Sequence, residues 1–239
     1  MKVDILAIGV HPDDVELGCS GTLIKHIQKG FKVGILDLTE GELGTRGTVA
    51  IRYKESELAA ERIGASFRDN LQIRDGFFEN DELNQRVLVQ KIRQYQPRWI
   101  IGNAPLDRHP DHGRAHELIK TAAFLSGLRR IETFSSDGLL QEPWRPEKIL
   151  SYIQNTYIEP DLYIDITDQM EQKTESIRAF ASQFFAEGSD DPNTYITNPL
   201  FLKKLEARAL LFGQRIGVNY AEGFLIDNAI GIETLDQLK

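Results

Sequence analysis

Short apolar runs alternate with amphipathic stretches along the first half of the chain. The apolar runs have the length of buried strands and occupy residues 4–10, 32–39 and 98–105, and residues 71–76 have the pattern of a strand end. The stretches between them have helical spacing and occupy residues 15–30, 51–64 and 82–96. Buried strands that alternate with helices predict an α/β fold, a Rossmann-like sandwich whose mostly parallel sheet is covered by helices on both faces.

The C-terminal third continues this pattern less regularly. Strands are predicted over 148–154 and 161–167, and helices over 168–185 and 200–217. The polar segment 186–199 joins the two helices and is long enough to act as a lid or a subunit contact. Because no linker, low-complexity run or internal repeat divides the chain, we expect a single domain over residues 1–239.

Residue types that bind metals follow the first and the fourth of the predicted strands. "HPDD" (11–14) follows the first strand, and "DRHPDH" (107–112) follows the strand at 98–105. A further polar loop, "EGELGTRG" (40–47), follows the second strand. Ligands of parallel sheets bind beyond the carboxyl ends of the strands, so we expect these loops to meet at one edge. The first motif has a histidine beside two carboxylates, and the later motif has two histidines. Together these residue types predict a metal site at this edge.

Two alternatives compete with this assignment. Asp13 and Glu16 have the spacing of a helix capping box, which explains two acidic residues without a metal but leaves His11 unexplained. His116 lies four positions after His112, so the two could form a histidine pair on one helix face. We rank His116 below His112 and expect it to be a surface or supporting residue.

Composition narrows the choice of partners. A net charge of −8 argues against the basic surface that nucleic acid or an anionic membrane requires. Cys19 is the single cysteine, which excludes an internal disulfide and a thiolate-rich metal site. The glycines at 9, 18 and 21 do not form G-x-G-x-x-G, and two carboxylates at this turn disfavour a nucleotide. No apolar run has the length of a signal sequence or a membrane span, so we expect a soluble, cytoplasmic protein.

Four motifs together carry a resemblance to a known family. "HPDD", "GELGTRGT", "RHPDH" and "YAEGF" resemble, in this order, the motifs of the PIG-L/LmbE family of zinc-dependent N-acetylglucosamine deacetylases. The similarity runs over nearly the whole chain and favours the branch that deacetylates N-acetylglucosaminyl malate in bacillithiol synthesis. It implies a metal-dependent hydrolase with zinc, or iron(II), as its cofactor. It further implies a small sugar conjugate as substrate and a homo-oligomer, either a hexamer or a trimer.

The resemblance also implies roles for individual residues. The metal ligands would be His11, Asp14 and His112, a set that leaves coordination positions open for water and substrate. Asp13 would be the general base for the attacking water. His109 would be protonated and would stabilise the oxyanion, with Asp111 fixing its orientation and charge. Protonated Asp13 and His109 both remain candidates for the acid that protonates the departing amine.

Substrate ligands are sought among arginines near the motifs. A malate conjugate brings two carboxylates, which planar guanidinium groups bind in bidentate fashion. The candidates are Arg46, Arg52 and Arg108, and the alternative for each is a weak surface ion pair. Family members often carry a mobile tyrosine in the C-terminal region, and Tyr195 is the candidate here, although Phe201 falls near the expected place. Glu222 of "YAEGF" would either support the site or pack the last strand.

Two rival functions remain open at this point. The first is a non-catalytic α/β domain that binds a sugar or a nucleotide, against which the histidine and aspartate motifs argue. The second is a deacetylase for another amide, such as a thiol conjugate, a lipid-linked sugar or a chitooligosaccharide. Metal content and acetate release separate the first rival from the proposal, and a substrate panel separates the second.

Overall fold

The predicted apolar runs form the centre of a seven-stranded sheet in a computed structural model that describes residues 1–184 and 192–235. In chain order the strands are β1 (Ile5–Gly9), β2 (Val33–Asp37), β3 (Phe67–Asn70), β4 (Trp99–Asn103), β5 (Lys148–Tyr152), β6 (Leu162–Asp165) and β7 (Ala221–Ile226). Across the sheet their order is β3-β2-β1-β4-β5-β7-β6. Neighbouring strands from β3 to β5 are parallel, whereas β7 runs antiparallel to β5 and β6. The mostly parallel sheet is therefore confirmed.

Helices connect the strands at nearly the predicted places. They are α1 (Asp14–Gln28), α2 (Val49–Ile63), α3 (Glu82–Tyr95), α4 (Pro110–Leu125), α5 (Met170–Ile177) and α6 (Phe201–Arg215). Local chemistry sets several ends. The Thr48 hydroxyl accepts the Ile51 amide at the start of α2, which ends at Gly64 in the left-handed region. Asp81 caps α3 in the same way, and proline occupies the first position of α4.

The two faces of β1 pack against different pairs of helices. Leu6 and Ile8 belong to the apolar cluster that contains side chains of α3 and α4. Ile5 and Ala7 belong to the cluster that contains side chains of α1 and α2. Each fully buried leucine or isoleucine stabilises such a core by about 1.5–3 kcal/mol. This alternation gives the predicted covering of the sheet by helices on both faces.

A close helix–sheet contact explains one of the glycines near the first motif. A Cβ atom at Gly18 would lie 2.2 Å from the ring of Tyr152 on β5. Glycine lets α1 lie against this buried ring, so its role here is packing and not phosphate binding.

The predicted strand end at 71–76 is wrong, because β3 ends at Asn70 and residues 71–76 form the loop that follows it. Arg68 of β3 is almost fully buried and bonds to Asp37 and Glu16. The charged side chain of Arg68 gives this segment the polar pattern that is typical of a loop, although its charge is paired inside the fold. The loop in turn carries Asp75 to the carboxyl edge of the sheet.

The predicted helix over 168–185 is also wrong in its length. A short 3-10 turn covers Thr167–Gln169, and α5 ends at Ile177. Tighter turns follow, because Phe180 and Phe184 fold back into an apolar cluster with Leu17 of α1. Residue 185 and the first part of the predicted lid, 186–191, lie outside the described residues. The lid at 186–199 therefore stays a prediction.

Glu222 of the "YAEGF" motif connects β7 to the middle of α1. Its carboxylate accepts hydrogen bonds from the amides of Gly21 and Thr22 at 3.0 and 2.7 Å. The Lys173 ammonium donates to the same carboxylate at 2.7 Å and to the carbonyl of Leu17 at 3.2 Å. Of the two roles considered for Glu222, the contacts thus favour packing of the last strand. Within the described ranges, no helix combines the length and apolarity needed to cross a membrane.

Candidate metal-dependent active site

An unusual backbone conformation at the end of β1 separates the two adjacent aspartates. Asp13 has φ 136°, a region that costs a non-glycine residue about 1–3 kcal/mol and is concentrated at functional sites. The Asp13 side chain makes no capping hydrogen bond to α1, so the capping-box alternative is wrong. Asp13 instead lies 3.4 Å from Arg52, while Asp14 lies between two histidines.

Asp14 is held as an ionised carboxylate at the centre of the site. Its Oδ2 accepts the amides of Val10 and His11 at 3.1 and 3.0 Å, and its Oδ1 accepts the Gln154 amide group at 2.7 Å. Burial opposes ionisation, but the neighbouring His112 and His11 outweigh it and hold the pKa of Asp14 well below its usual range. The carboxylate is therefore fixed in position before any ligand arrives.

Each of the two predicted histidine ligands has one ring nitrogen bonded to a carboxylate. His11 Nε2 lies 2.9 Å from Asp75, and its Nδ1 lies 3.6 Å from Asp14. His112 Nδ1 lies 2.5 Å from Asp107, and its Nε2 lies 3.3 Å from Asp14. A carboxylate behind an imidazole fixes the ring and directs its other nitrogen, as is typical of histidines that bind metals.

The charge balance of this cluster also favours a cation. Burial alone would lower the pKa of His11, but Asp14 and Asp75 outweigh it and raise the pKa to about 10. The pKa of His112 rises to about 9, because Asp14 and Asp107 likewise outweigh the effect of burial. Protons on the two rings thus offset the charge of the neighbouring carboxylates. A divalent cation would displace these protons and offset the same charge.

The donor set fits a metal ion. Two imidazoles and one carboxylate on one side of a cleft are the ligands of catalytic zinc and of non-haem iron(II). Ring nitrogens of His11, His109 and His112 lie within 4.8 Å of one another, so His109 is a fourth candidate donor. We keep Asp14 in the ligand set because its charge offsets that of the cation and its oxygens face both ligand histidines.

His109 and Asp111 are close to the cluster but are not paired as predicted. His109 Nδ1 accepts the amide of Asp111 at 3.3 Å, and its ring stacks on His112 with centroids 5.2 Å apart. The Asp111 carboxylate instead accepts the Gly76 amide at 2.9 Å and lies 2.9 Å from Arg114. Burial lowers the pKa of His109, and the charges of His11 and His112 add to this effect. The Asp111 carboxylate thus does not contact the His109 ring in this structure, and the catalytic roles of both residues stay predictions.

A cleft of about 460 Å³ opens onto the cluster, and its walls include three of the four predicted substrate ligands. The Arg108 guanidinium lies 4.3 Å from the centre of the half-exposed Tyr195 ring. Arg52 is buried and donates to Asp13 and to the carbonyls of Gly41 and Pro12. Its guanidinium therefore contacts Asp13 at the wall of the cleft, and the role of Arg52 as a substrate ligand stays a prediction.

The remaining predicted residues lie around this cleft. Arg46 is buried beside it, with its carbonyl accepting from Gln183, and does not belong to the described lining. His116 is buried with Nδ1 near the carbonyl of Asn103 and the hydroxyl of Ser151, at 3.2 and 3.1 Å. Among the described residues, His116 does not belong to a cluster of side chains that could hold a metal ion together.

Several site residues were not identified from the sequence. Asp75 follows β3, Asn103 ends β4 and Gln154 follows β5, and all three contact the predicted ligands. Asp107 appeared only as a neighbour of Arg108, although it orients His112. The signal was available, because each lies at the carboxyl end of a parallel strand.

Comparison with known proteins identifies relatives of this chain. The sequence model of the PIG-L family, described as GlcNAc-PI de-N-acetylase, matches residues 6–123, which span the three predicted ligands. Diacetylchitobiose deacetylase of Thermococcus kodakarensis is 29% identical over 92% of this chain and 81% of that protein. A probable N-acetyl-alpha-D-glucosaminyl L-malate deacetylase of Bacillus anthracis is 25% identical over 75% of this chain and 81% of that protein.

A solved structure extends the likeness to the whole fold. The crystal structure of a conserved protein from Thermus thermophilus is 33% identical, with a TM-score of 0.85, and covers 97% of this chain and 98% of that one. The range matched by the family model contains His11, Asp14 and His112, which meet at the edge of the sheet. This chain belongs to the PIG-L family, and it is a hydrolase that deacetylates substrates of the N-acetylglucosamine type.

Proposed function

We propose that the protein removes the acetyl group of N-acetylglucosaminyl L-malate, or of a closely similar carboxylated conjugate, with one zinc ion held by His11, Asp14 and His112. The observation that carries the metal assignment is the pair of carboxylate-backed imidazoles facing Asp14 at an open cleft. A zinc ion at such ligands supplies polarisation of the amide carbonyl and lowers the pKa of water to about 7.

Asp13 is the residue suited to take the proton of the attacking water. It lines the cleft beside Asp14 and is buried, and burial raises its pKa to about 7 even though Arg52 opposes the shift. A carboxylate with a pKa near neutrality both accepts a proton and returns it to a departing amine. Its strained backbone and the contact with Arg52 hold it in position for both steps.

His109 is suited to donate a hydrogen bond to the developing oxyanion. Because Nδ1 accepts the amide of Asp111, the neutral ring carries its proton on Nε2. The ring borders the cleft, and a neutral donor of this kind stabilises charge that develops in the transition state. In this scheme Asp13 and not His109 protonates the amine.

The malate component of the proposal rests on charge. The chain is acidic overall, at −8, and would repel a dianion unless local cations offset the repulsion. Arg108 supplies such a cation at the wall of the cleft, and the likeness to the malate conjugate deacetylase of Bacillus anthracis supports the same substrate. The likeness to diacetylchitobiose deacetylase favours a chitooligosaccharide as the second candidate.

A substrate panel with measured acetate release tests the proposal. The panel contains N-acetylglucosaminyl L-malate, diacetylchitobiose and free N-acetylglucosamine, assayed with zinc and with iron(II). We expect the highest kcat/KM for the malate conjugate, and Arg108→Lys should raise KM for it alone because the planar fork is lost. A preference for diacetylchitobiose would replace the malate assignment with the second candidate.

Oligomeric state forms part of the same proposal. We infer a homo-oligomer, a hexamer or a trimer, from the family resemblance. Light scattering coupled to size-exclusion chromatography measures it directly, and a monomer at assay concentration would contradict the inference.

A further inference from the structure

A second groove continues from the metal-side cleft toward α6. It has a volume of about 250 Å³ and shares four residues with the cleft: Leu17, Gln154, Asn155 and Tyr195. Its own walls are formed by Tyr157, Phe201, Lys204, Leu205, Arg208 and Leu211. A molecule whose acetamido group reaches the ligand histidines therefore has room to extend into this groove.

The two parts of the cavity differ in charge. The metal-side cleft is lined by three carboxylates, those of Asp13, Asp14 and Asp75, together with the guanidinium groups of Arg52 and Arg108. The described lining of the second groove contains two cations, Lys204 and Arg208, and no carboxylate. This contrast suits a ligand that is neutral at one end and anionic at the other.

Arg208 is the half-buried cation of the groove. Its guanidinium makes one long hydrogen bond, 3.4 Å to the carbonyl of Leu17, and it forms no ion pair among the described residues. Burial lowers its pKa to about 10, so it remains charged at neutral pH. A guanidinium that offers five donors and uses one leaves most of its hydrogen-bonding capacity for a ligand.

The two carboxylates that act on Arg208 electrostatically are bonded to other groups. Glu222 accepts from the Lys173 ammonium and from two amides of α1. Asp107 bonds to His112 and accepts the amides of Asn155 and Thr156 at 3.1 and 2.7 Å. Neither carboxylate is within ion-pair distance of Arg208, which leaves the guanidinium for a different anion.

We propose that this groove binds the anionic group attached to the N-acetylglucosamine, with Arg208 as its carboxylate ligand and Lys204 as a supporting cation. The inference rests on the proposed deacetylase function and assigns Arg208 as a residue that determines specificity. Tyr195, under the guanidinium of Arg108, lies where the two parts of the cavity join.

A second neutral sugar fits the groove less well than an anion. The tyrosine and phenylalanine rings would stack on either ligand. A neutral sugar, however, would leave the charges of Lys204 and Arg208 uncompensated, because the described lining supplies no carboxylate. A carboxylate needs donors alone, which a guanidinium and an ammonium provide.

Substitution of Arg208 tests the proposal with a matched pair of substrates. N-acetylglucosaminyl L-malate and its dimethyl ester differ in the two negative charges and share the acetamido sugar. We expect Arg208→Gln to lower kcat/KM for the diacid about 10- to 100-fold, mainly through KM, because a charge-assisted bond is lost. The ester should change less than about threefold, and Arg208→Lys should restore part of the diacid activity.

Lys203→Gln is the control, since Lys203 is an exposed neighbour on α6 outside the groove lining. It should leave both substrates unchanged. An equal loss for diacid and ester in Arg208→Gln would overturn the proposal and indicate support of α1 through the carbonyl of Leu17. No loss for either substrate, or a selective loss for diacetylchitobiose, would overturn it as well.

Binding without turnover separates this proposal from the proposed function. Calorimetric titration with the deacetylated product, glucosaminyl L-malate, should show tight binding to the unmodified protein and binding weaker by about 10- to 100-fold to Arg208→Gln. If this contrast appears but no acetate is released from any conjugate, the groove assignment stands and the proposed function fails. If the unmodified protein does not bind the product, the groove assignment fails.

Discussion

Two buried clusters of charge lie next to each other near the start of α1, and their partners differ. The ligand cluster consists of His11, Asp14 and His112. The Arg68 cluster consists of Glu16, Asp37 and Arg68, in which the guanidinium bonds to both oxygens of Asp37 at 2.7 and 2.8 Å and to Glu16 at 2.6 Å. The guanidinium of Arg68 lies 5.6 Å from the ring centre of Phe180, which covers that cluster.

The comparison shows what turns a buried carboxylate into a ligand. In the Arg68 cluster a permanent cation bonds to both carboxylates and occupies the space between them. In the ligand cluster the cations are imidazoles, which lose their protons when a metal binds. The ligand cluster also borders the open cleft. Removal of a side chain from the ligand cluster should therefore abolish metal binding. Removal of the Arg68 side chain should instead reduce the stability of the fold.

The largest effect is expected from the loss of a ligand imidazole. His112→Ala leaves two predicted ligands, so bound metal should be lost and acetate release should fall at least about 1000-fold. Metal content by mass spectrometry and initial rates measure the two losses. His116→Gln, one turn further along α4, is the control and should keep its metal. Full metal content in His112→Ala would contradict the ligand assignment.

Asp13→Asn separates the two adjacent aspartates. The metal should remain, because Asp13 is not a predicted ligand, while the rate should fall by about 100- to 10,000-fold as expected for a general base. Asp14→Asn is the matched comparison and should lose the metal. If Asp13→Asn loses metal and activity together, Asp13 is a ligand and the division of roles is wrong.

Arg68→Met tests the structural cluster. Two buried carboxylates lose their cation, so the free energy of unfolding should fall by about 3–5 kcal/mol, while folded protein should keep its metal. Denaturant unfolding measures the change. Arg86→Met removes an exposed pair with Glu82 and should cost no more than about 0.5 kcal/mol. Metal loss from the folded Arg68→Met protein would mean that the two clusters are not independent.

Smaller effects are expected from the carboxylates that orient the histidines. Asp75→Asn and Asp107→Asn each keep the shape of the side chain but weaken the hold on one imidazole. Metal affinity should fall about 10- to 100-fold, as measured by competition with a chelator. Asp81→Asn is the control, because asparagine caps a helix as well as aspartate does. Unchanged affinity in both variants would show that these carboxylates do not contribute to metal binding.

Much of the fold and the centre of the site could be predicted from the sequence. Apolar runs located β1, β2, β4 and β5, because buried parallel strands are apolar on both faces. β3 was missed because Arg68 is charged, although it is neutralised inside the fold. The motifs singled out His11, Asp14 and His112, which meet in the structure, while their role as metal ligands stays a prediction.

Contacts between distant loops could not be predicted in this way. Asp75 reaches His11 across 64 residues, and Gln154 reaches Asp14 across 140. Proximity in sequence also did not indicate the partners that Arg52 and Asp111 have in the structure. Arg52 bonds to Asp13 from α2, and Asp111 bonds to the loop after β3. Only the register of the strands decides which of these side chains meet.

Zinc titration of the chelator-treated protein tests the central assignment most directly. Bound zinc and acetate release from N-acetylglucosaminyl L-malate are measured in the same samples. The ligand cluster predicts that both rise together and saturate at one zinc per chain, with no rise in His112→Ala. Full deacetylation by the metal-free protein, or the same zinc-dependent rise in His112→Ala, would contradict the account.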